Sequence, residues 1–237
     1  MGIITFNGIT SSTYDIQVET PPEYIMPERD YDVIHIPGRN GDIIVDKKSY
    51  MNVPRKYNIA VGSHTEAYSE MVNKISEWLH SANGYARLED TYEPDYYRLA
   101  MYSEENEISN IYHQAGRTTI TFNCKPQRFL KSGDTKLVRT TAGSISNPTV
   151  QTSLPIIEVK GTGSGVLTIN GNTITISTIS GSITINSEIQ DAYSGAINRN
   201  NHIILSAGFP VLNPGSNTIS FSGGITSVEV TPRWWTV

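Results

Sequence analysis

Cysteine is almost absent. A single one, Cys124, occurs in 237 residues, so no intrachain disulfide can form and stability must come from packing. A chain of this length buries about 70–75% of its unfolded surface and needs no such staple. The setting Phe122-Asn123-Cys124-Lys125-Pro126 offers no electropositive pocket to activate a thiol, and a buried, inert side chain is expected. Positive charge is scarce too. The longest basic run is Lys47-Lys48, close to Asp42 and Asp46, and the net charge is −5. The basic stripe that displaces counterions from phosphates is missing, which excludes tight duplex binding. No stretch approaches the roughly 20 apolar residues that cross a bilayer. The start, Met1-Gly2-Ile3-Ile4-Thr5-Phe6, lacks the head and apolar run of a signal peptide, and Phe6 stands where myristoylation wants Ser or Thr. The expectation is a protein made soluble in a cytoplasm, with no membrane anchor.

Catalytic signatures are also lacking. His35, His64, His80, His113 and His202 show no zinc-ligand spacing, and there is no cysteine cluster. There is no Gly-x-Ser-x-Gly elbow and no phosphate-binding loop ending in Gly-Lys-Ser/Thr. Gly161-Thr162-Gly163-Ser164-Gly165 is glycine-rich but precedes a strand, so it lacks a helix N-terminus for phosphate and reads as a mobile loop. Carboxylates cluster at Glu89-Asp90, Glu93, Asp95 and Glu104-Glu105. Two of them facing one sugar would suit a glycosidase, but their charged surroundings read as solvated loops. No catalytic residue, metal or cofactor is expected.

What is present falls into two halves. Residues 1–133 hold 13 Lys/Arg and 18 Asp/Glu, the whole net charge, whereas residues 134–237 hold five of each and are rich in Ser, Thr, Asn, Gly and Ile. The shift near Ser132-Gly133-Asp134 reads as a domain boundary. In the first half Ser63-His64-Thr65-Glu66 fits a capping box. Ala67, Met71, Ile75, Trp78 and Leu79 follow at helical spacing, and Asn83-Gly84 supplies a left-handed stop. Ile43-Ile44-Val45, Tyr57-Asn58-Ile59-Ala60-Val61 and Thr118-Thr119-Ile120-Thr121-Phe122 alternate like strands with one buried and one wet face. Pro37-Gly38-Arg39-Asn40-Gly41 reads as a turn, with Asn40-Gly41 the strongest hairpin signal. It aims Arg39 outward, toward a neighbouring subunit. The 13 tyrosines lie before residue 115 except for Tyr193. Tyr92, Tyr96 and Tyr97 are candidates for an interface, since the ring is apolar and the hydroxyl can stay hydrated.

In the second half Val166-Leu167-Thr168-Ile169 and Thr173-Ile174-Thr175-Ile176 flank Asn170-Gly171-Asn172, a hairpin with Ile and Thr on opposite faces. Short alternating strands continue to the end, which points to a β-sandwich. The fold class expected is mainly β: an N-terminal antiparallel β domain with one α-helix over 1–133, and a β-sandwich over 134–237. Adjacent Trp234 and Trp235 would point to opposite faces of a strand, one to the core and the other to an apolar edge or a partner.

Six phrases keep one order along the chain: Phe6-Asn7-Gly8, Pro37-Gly38-Arg39-Asn40-Gly41-Asp42, Trp78-Leu79, Arg87-Leu88-Glu89-Asp90, Arg98-Leu99-Ala100 and Phe122-Asn123-Cys124-Lys125-Pro126-Gln127. In this order they resemble the N-terminal domain of the distal tail (Dit) proteins of long-tailed, non-contractile phages. Leu154-Pro155-Ile156-Ile157-Glu158-Val159, Ile183-Thr184-Ile185-Asn186-Ser187-Glu188, Asp191-Ala192-Tyr193, Asn217-Thr218-Ile219 and Pro232-Arg233-Trp234-Trp235 resemble the family's C-terminal, galectin-like sandwich. The resemblance implies a structural virion protein that forms a homo-hexameric ring through its N-terminal domains. It implies as partners the tail tube, the tail-tip hub and receptor-binding proteins and the tape-measure protein, with DNA passing through without specific binding. A monomeric glycan-binding adhesion module is the main alternative, and a cell-wall hydrolase a third. Galectins use a His-x-Asn-x-Arg strand; Asn198-Arg199-Asn200-Asn201-His202 has those residue types in another order, so that site does not carry over.

Overall fold

The computed structural model describes residues 2–62, 68–102, 109–111 and 115–237. The chain forms two compact units: residues 1–128 with 237, and residues 129–236. The first contains β1 (Ile4–Phe6), β2 (Ile9–Thr10), β3 (Ile16–Val18), β4 (Arg29–Ile34), β5 (Ile43–Tyr50) and β6 (Val53–Gly62). Helix α1 (Tyr68–Leu79) follows, then β7 (Ala86–Asp90), β8 (Tyr96–Tyr102), β9 (Ser109–Ile111) and β10 (Ala115–Leu130), whose last two residues enter the second unit.

The main sheet of the first unit runs β2-β1-β7-β8-β10-β6-β3. An antiparallel bridge from Gly2 to Val18 returns β3 to the start of β1, so the sheet closes on itself as a small barrel. Strict alternation drives this closure. In β6, Val53, Tyr57, Ile59 and Val61 point inward, while Pro54, Lys56 and Asn58 point to water. β10 pairs with β6 over ten residues, from Ala115 opposite Gly62 to Cys124 opposite Val53, and brings in Ile120, Phe122 and Cys124.

Helix α1 adds Met71, Ile75, Trp78 and Leu79 to the same core, the stripe its periodicity predicts. Trp78 is fully enclosed, and its Nε1 donates to the carbonyls of Phe6 and Ile9 at 3.3 and 3.2 Å, so no indole donor is stranded. The predicted capping box lies outside the described residues. The predicted stop at Asn83-Gly84 is displaced: the helix ends at Leu79, and neither residue has positive φ. His80 ends it instead, its amide N–H donating to the Ser76 carbonyl at 3.0 Å and its Nδ1 lying 2.8 Å from the same oxygen.

The second unit contains β11 (Leu137–Arg139), β12 (Gly143–Asn147), β13 (Ile156–Ile169), β14 (Asn172–Asn186), β15 (Asp191–Ser194), β16 (Ile197–Asn198), β17 (Ile203–Leu205), β18 (Gly215–Thr231) and β19 (Trp235–Thr236). Three long strands, β13, β14 and β18, each serve two layers. Ile156–Thr162 lies between Ser180–Asn186 and Ile225–Thr231, with β11, β15 and β16 outside them. Gly165–Ile169 lies between Asn172–Ile176 and Ile219–Gly223, flanked by β12 and β17. Ile157, Val159, Ile183, Ile185, Val228 and Val230 face Leu167, Ile169, Ile174, Ile176 and Ile219 across one core. The mainly β fold with one helix matches the expected class.

Glycine makes the crossing between layers possible. Gly161-Thr162-Gly163-Ser164-Gly165 is therefore a bend inside β13, which corrects the loop expected from its composition. Gly163 has φ +82°, and a Cβ on Gly224 would stand 1.8 Å from the carbonyl oxygen of Thr162. Here two backbones meet where no side chain fits. The Asn170-Gly171 turn has positive φ at both residues, as a type I′ hairpin requires, but there the space beside Gly171 is open. Gly224→Ala should cost about 2–4 kcal/mol in urea unfolding by steric overlap. Gly171→Ala should cost only about 1–2 kcal/mol from the left-handed backbone.

Candidate assembly interface

β4 and β5 pair only with each other among the described residues, forming a two-stranded ribbon. Val33 lies opposite Ile44 on one face, while Ile34 opposite Ile43 and Asp32 opposite Val45 share the other. Neither face is buried: Val33 is 55%, Ile34 48%, Ile44 67% and Val45 44% exposed. The alternation of Ile43-Ile44-Val45 predicted one buried and one wet face. Among the described residues no second layer covers the ribbon, and both faces meet solvent.

Charged contacts hold the ribbon in register. Arg29 Nε and NH2 fork onto the carboxylate of Asp46 at 3.1 and 2.5 Å. Lys47 bridges Asp32 and Asp30 at 2.8 and 3.3 Å. The register slips between Asp30 and Tyr31, where Lys48 takes φ +58° and its amide donates to Asp46 Oδ1. At the tip, Arg39 N–H donates to the Ile36 carbonyl at 3.2 Å, and Gly38 has φ +80°. That is a type II turn on Pro37-Gly38, so the closing bond falls before Asn40-Gly41. Arg39 and Asn40 are both exposed.

Beside the chain that enters this ribbon lies a buried charge cluster. Asp90, at the end of β7, uses every acceptor position. Its Oδ2 accepts from Tyr57 Oη at 2.6 Å and Arg55 NH2 at 3.0 Å, and its Oδ1 accepts from the amides of Tyr92 and Glu93 at 2.9 Å each. Glu93, oriented by that turn, meets Arg55 at 3.0 Å, Arg98 at 3.3 Å and Arg128 at 2.6 Å. The side chains of Arg55 and Asp90 are each only 5% exposed. Burial alone would raise the Asp90 pKa, but hydrogen bonds from Tyr57 and Arg55 outweigh it and hold the carboxyl below its usual range. Burial likewise opposes the Arg55 charge, yet Tyr57 and Asp90 raise its pKa. Asp90 and Glu93 are thus tied to arginines, which corrects the expectation that the acidic cluster is solvated. Asp95 is exposed, and Glu104-Glu105 lie outside the described residues.

Residues 9–124, a little under half of the chain, match the family model of the phage tail protein RIFT-related domain. The crystal structure of the Dit protein of phage SPP1 superposes with a TM-score of 0.77 at 12% identity, with each chain covered in full. No curated protein matches the sequence. Residues 9–124 thus resemble a phage tail domain, and the whole chain has the fold of the SPP1 distal tail protein.

The predicted interface residues separate in this fold. Arg39 and Asn40 sit at the ribbon tip. Tyr92 is half-buried against the barrel core. Tyr96 is half-buried with Arg128 4.9 Å from its ring centroid, and Tyr97 is 8% exposed beneath Arg87 at 3.7 Å. Tyr97 is thus packed within its own protomer. In the second unit, Asn198 and Asn200 both donate to Asp191, and Arg199 and His202 lie against each other. These groups tie down a loop. Trp234 is buried, while Trp235 donates from Nε1 to the Thr152 carbonyl at 2.9 Å. Cys124 is fully buried, and burial pushes its thiol pKa up to about 12. Among the described residues no group of three or more metal-ligating side chains occurs.

A carboxyl whose pKa falls on folding stabilises the fold above the usual carboxylate range and loses that contribution as pH drops below about 4. At pH 7, Asp90→Asn should lower stability to urea by about 2–4 kcal/mol, since the buried Arg55 keeps only Glu93 as a charge partner. The gap to the unchanged protein should narrow steadily between pH 4 and pH 2.

Proposed function

We propose that this protein is a distal hub in the tail of a phage virion: six copies close into a ring through residues 1–133, with residues 134–237 outside it. The ring joins the tail tube to the tail-tip and receptor-binding proteins and leaves a channel for the tape-measure protein and then DNA. The observation that carries this reading is the β4–β5 ribbon, whose apolar residues lie open on both faces. Exposed apolar patches of this kind mark contact surfaces, and an isolated two-stranded ribbon is marginally stable in water. A closed ring uses one heterologous contact repeated, so each subunit needs two different complementary patches. The ribbon supplies one, with Arg39 and Asn40 at its tip.

Two further facts support the reading. The SPP1 protein that shares this fold is described as a paradigm of the hub adsorption apparatus of phages infecting Gram-positive bacteria. The first 133 residues carry the whole net charge of −5, which suits a passage that DNA must not adhere to. Native mass spectrometry of the purified protein should report a closed ring of six. Ile44→Asp with Val33→Asp should return it to single subunits with the protomer's thermal unfolding unchanged, because those side chains lie outside both apolar cores. A single-subunit mass for the unaltered protein at micromolar concentration would overturn the ring and favour the glycan-binding module.

A further inference from the structure

The ribbon has two attachments to the barrel, and they differ in kind. Its exit is short and regular: β5 leads through Met51 and Asn52 into β6, and Asn52 Nδ2 donates to Tyr85 Oη at 2.5 Å. Its entry, residues 19–28, has no regular structure. The ends of this tether are pinned, since the Glu19 amide donates to the Asn58 carbonyl at 2.9 Å and the Met51 amide to the Glu28 carbonyl at 2.8 Å. Its middle meets the charge cluster. Arg55 NH1 donates to the Glu23 carbonyl at 3.3 Å, and the Tyr24 ring lies 4.7 Å from the Arg128 guanidinium and 6.0 Å from that of Arg98. Three guanidinium groups there face two carboxylates, Asp90 and Glu93. Arg128 NH2 also donates to a Val237 oxygen at 3.4 Å, and the tether's carbonyl and aromatic face meet the same guanidinium cluster. Tyr24 is 48% exposed, so the barrel core does not hold the ring in place. Pro21, Pro22 and Pro27 fix φ on both sides of this point, so anchoring Glu23 and Tyr24 directs the whole stiff segment.

We propose that Arg55, Arg98 and Arg128 form a latch that grips the tether at Glu23 and Tyr24 and so presents the ribbon to a neighbouring copy in one fixed pose. This rests on the reading of the ribbon as the ring contact, and it assigns the buried charges a positioning role. Preorganisation of this kind lowers the ordering cost of association, so loosening the tether weakens assembly without touching the contact surface.

Tyr24→Ala removes the ring from the latch, and Tyr24→Phe keeps it. Hydrogen exchange and the concentration midpoint of ring formation are the measurements. With Tyr24→Ala, amide exchange over residues 23–50 should quicken about tenfold and the midpoint should rise by a similar factor, in line with one cation–π contact at a half-exposed site. The protomer's unfolding temperature should stay put, and Tyr24→Phe should restore both values. Unchanged exchange or an unchanged midpoint in Tyr24→Ala overturns the latch. Replacing residues 29–50 by a short glycine linker separates the two readings. If rings still form without the ribbon, the ribbon is not the contact. If rings vanish without it while Tyr24→Ala behaves normally, the latch alone is wrong.

Discussion

A two-stranded ribbon has two faces and no second layer, so Val33, Ile34, Ile44 and Val45 cannot be buried by the ribbon that carries them. Each such side chain gains about 1.5–3 kcal/mol on full burial, and that gain is unrealised in the isolated protomer. The barrel and the sandwich, by contrast, each close around their own apolar core. The ribbon is therefore a place where the protomer leaves apolar side chains open. That place looks outward, which is the arrangement a self-assembling subunit needs.

The charge cluster beside the ribbon's entry is another departure from a plain apolar core. Burying Arg55, Asp90, Arg98 and Glu93 carries a desolvation cost that good geometry only offsets, so such clusters are poor devices for stability alone. Apolar side chains of similar volume would fill the space with less penalty. They would not provide directional donors for the Glu23 carbonyl, nor a cationic surface for the Tyr24 ring. What the charges supply is geometry: Asp90 shapes the turn to Glu93, and Glu93 gathers three arginines.

Local pattern revealed much of this architecture. The helical stripe from Met71 to Leu79, the alternation in β6 and β10 and the Asn170-Gly171 turn are all short-range signals, and the structure follows them. The two-faced exposure of β5 was not legible, because alternation says which residues share a face and nothing about what lies above it. The bend in β13 was hidden for a related reason. Its glycines answer to β18, more than fifty residues away, and read alone they look like a loop. The charge cluster did leave a trace. Arg55 occupies an inward position of Val53-x-Arg55-x-Tyr57-x-Ile59-x-Val61, and a cation on an apolar face announces a buried partner. Which carboxylate answers it depends on how β7 and β10 are brought together, which period-two alternation does not encode.

The most direct test is a cryo-electron microscopy reconstruction of the purified protein at a resolution that traces β4 and β5. A closed ring in which Val33, Ile34, Ile44 and Val45 of each ribbon are covered by the adjacent protomer is the expected result. Rings held by other surfaces, with both faces of the ribbon still in solvent, or protomers that never associate, would contradict it.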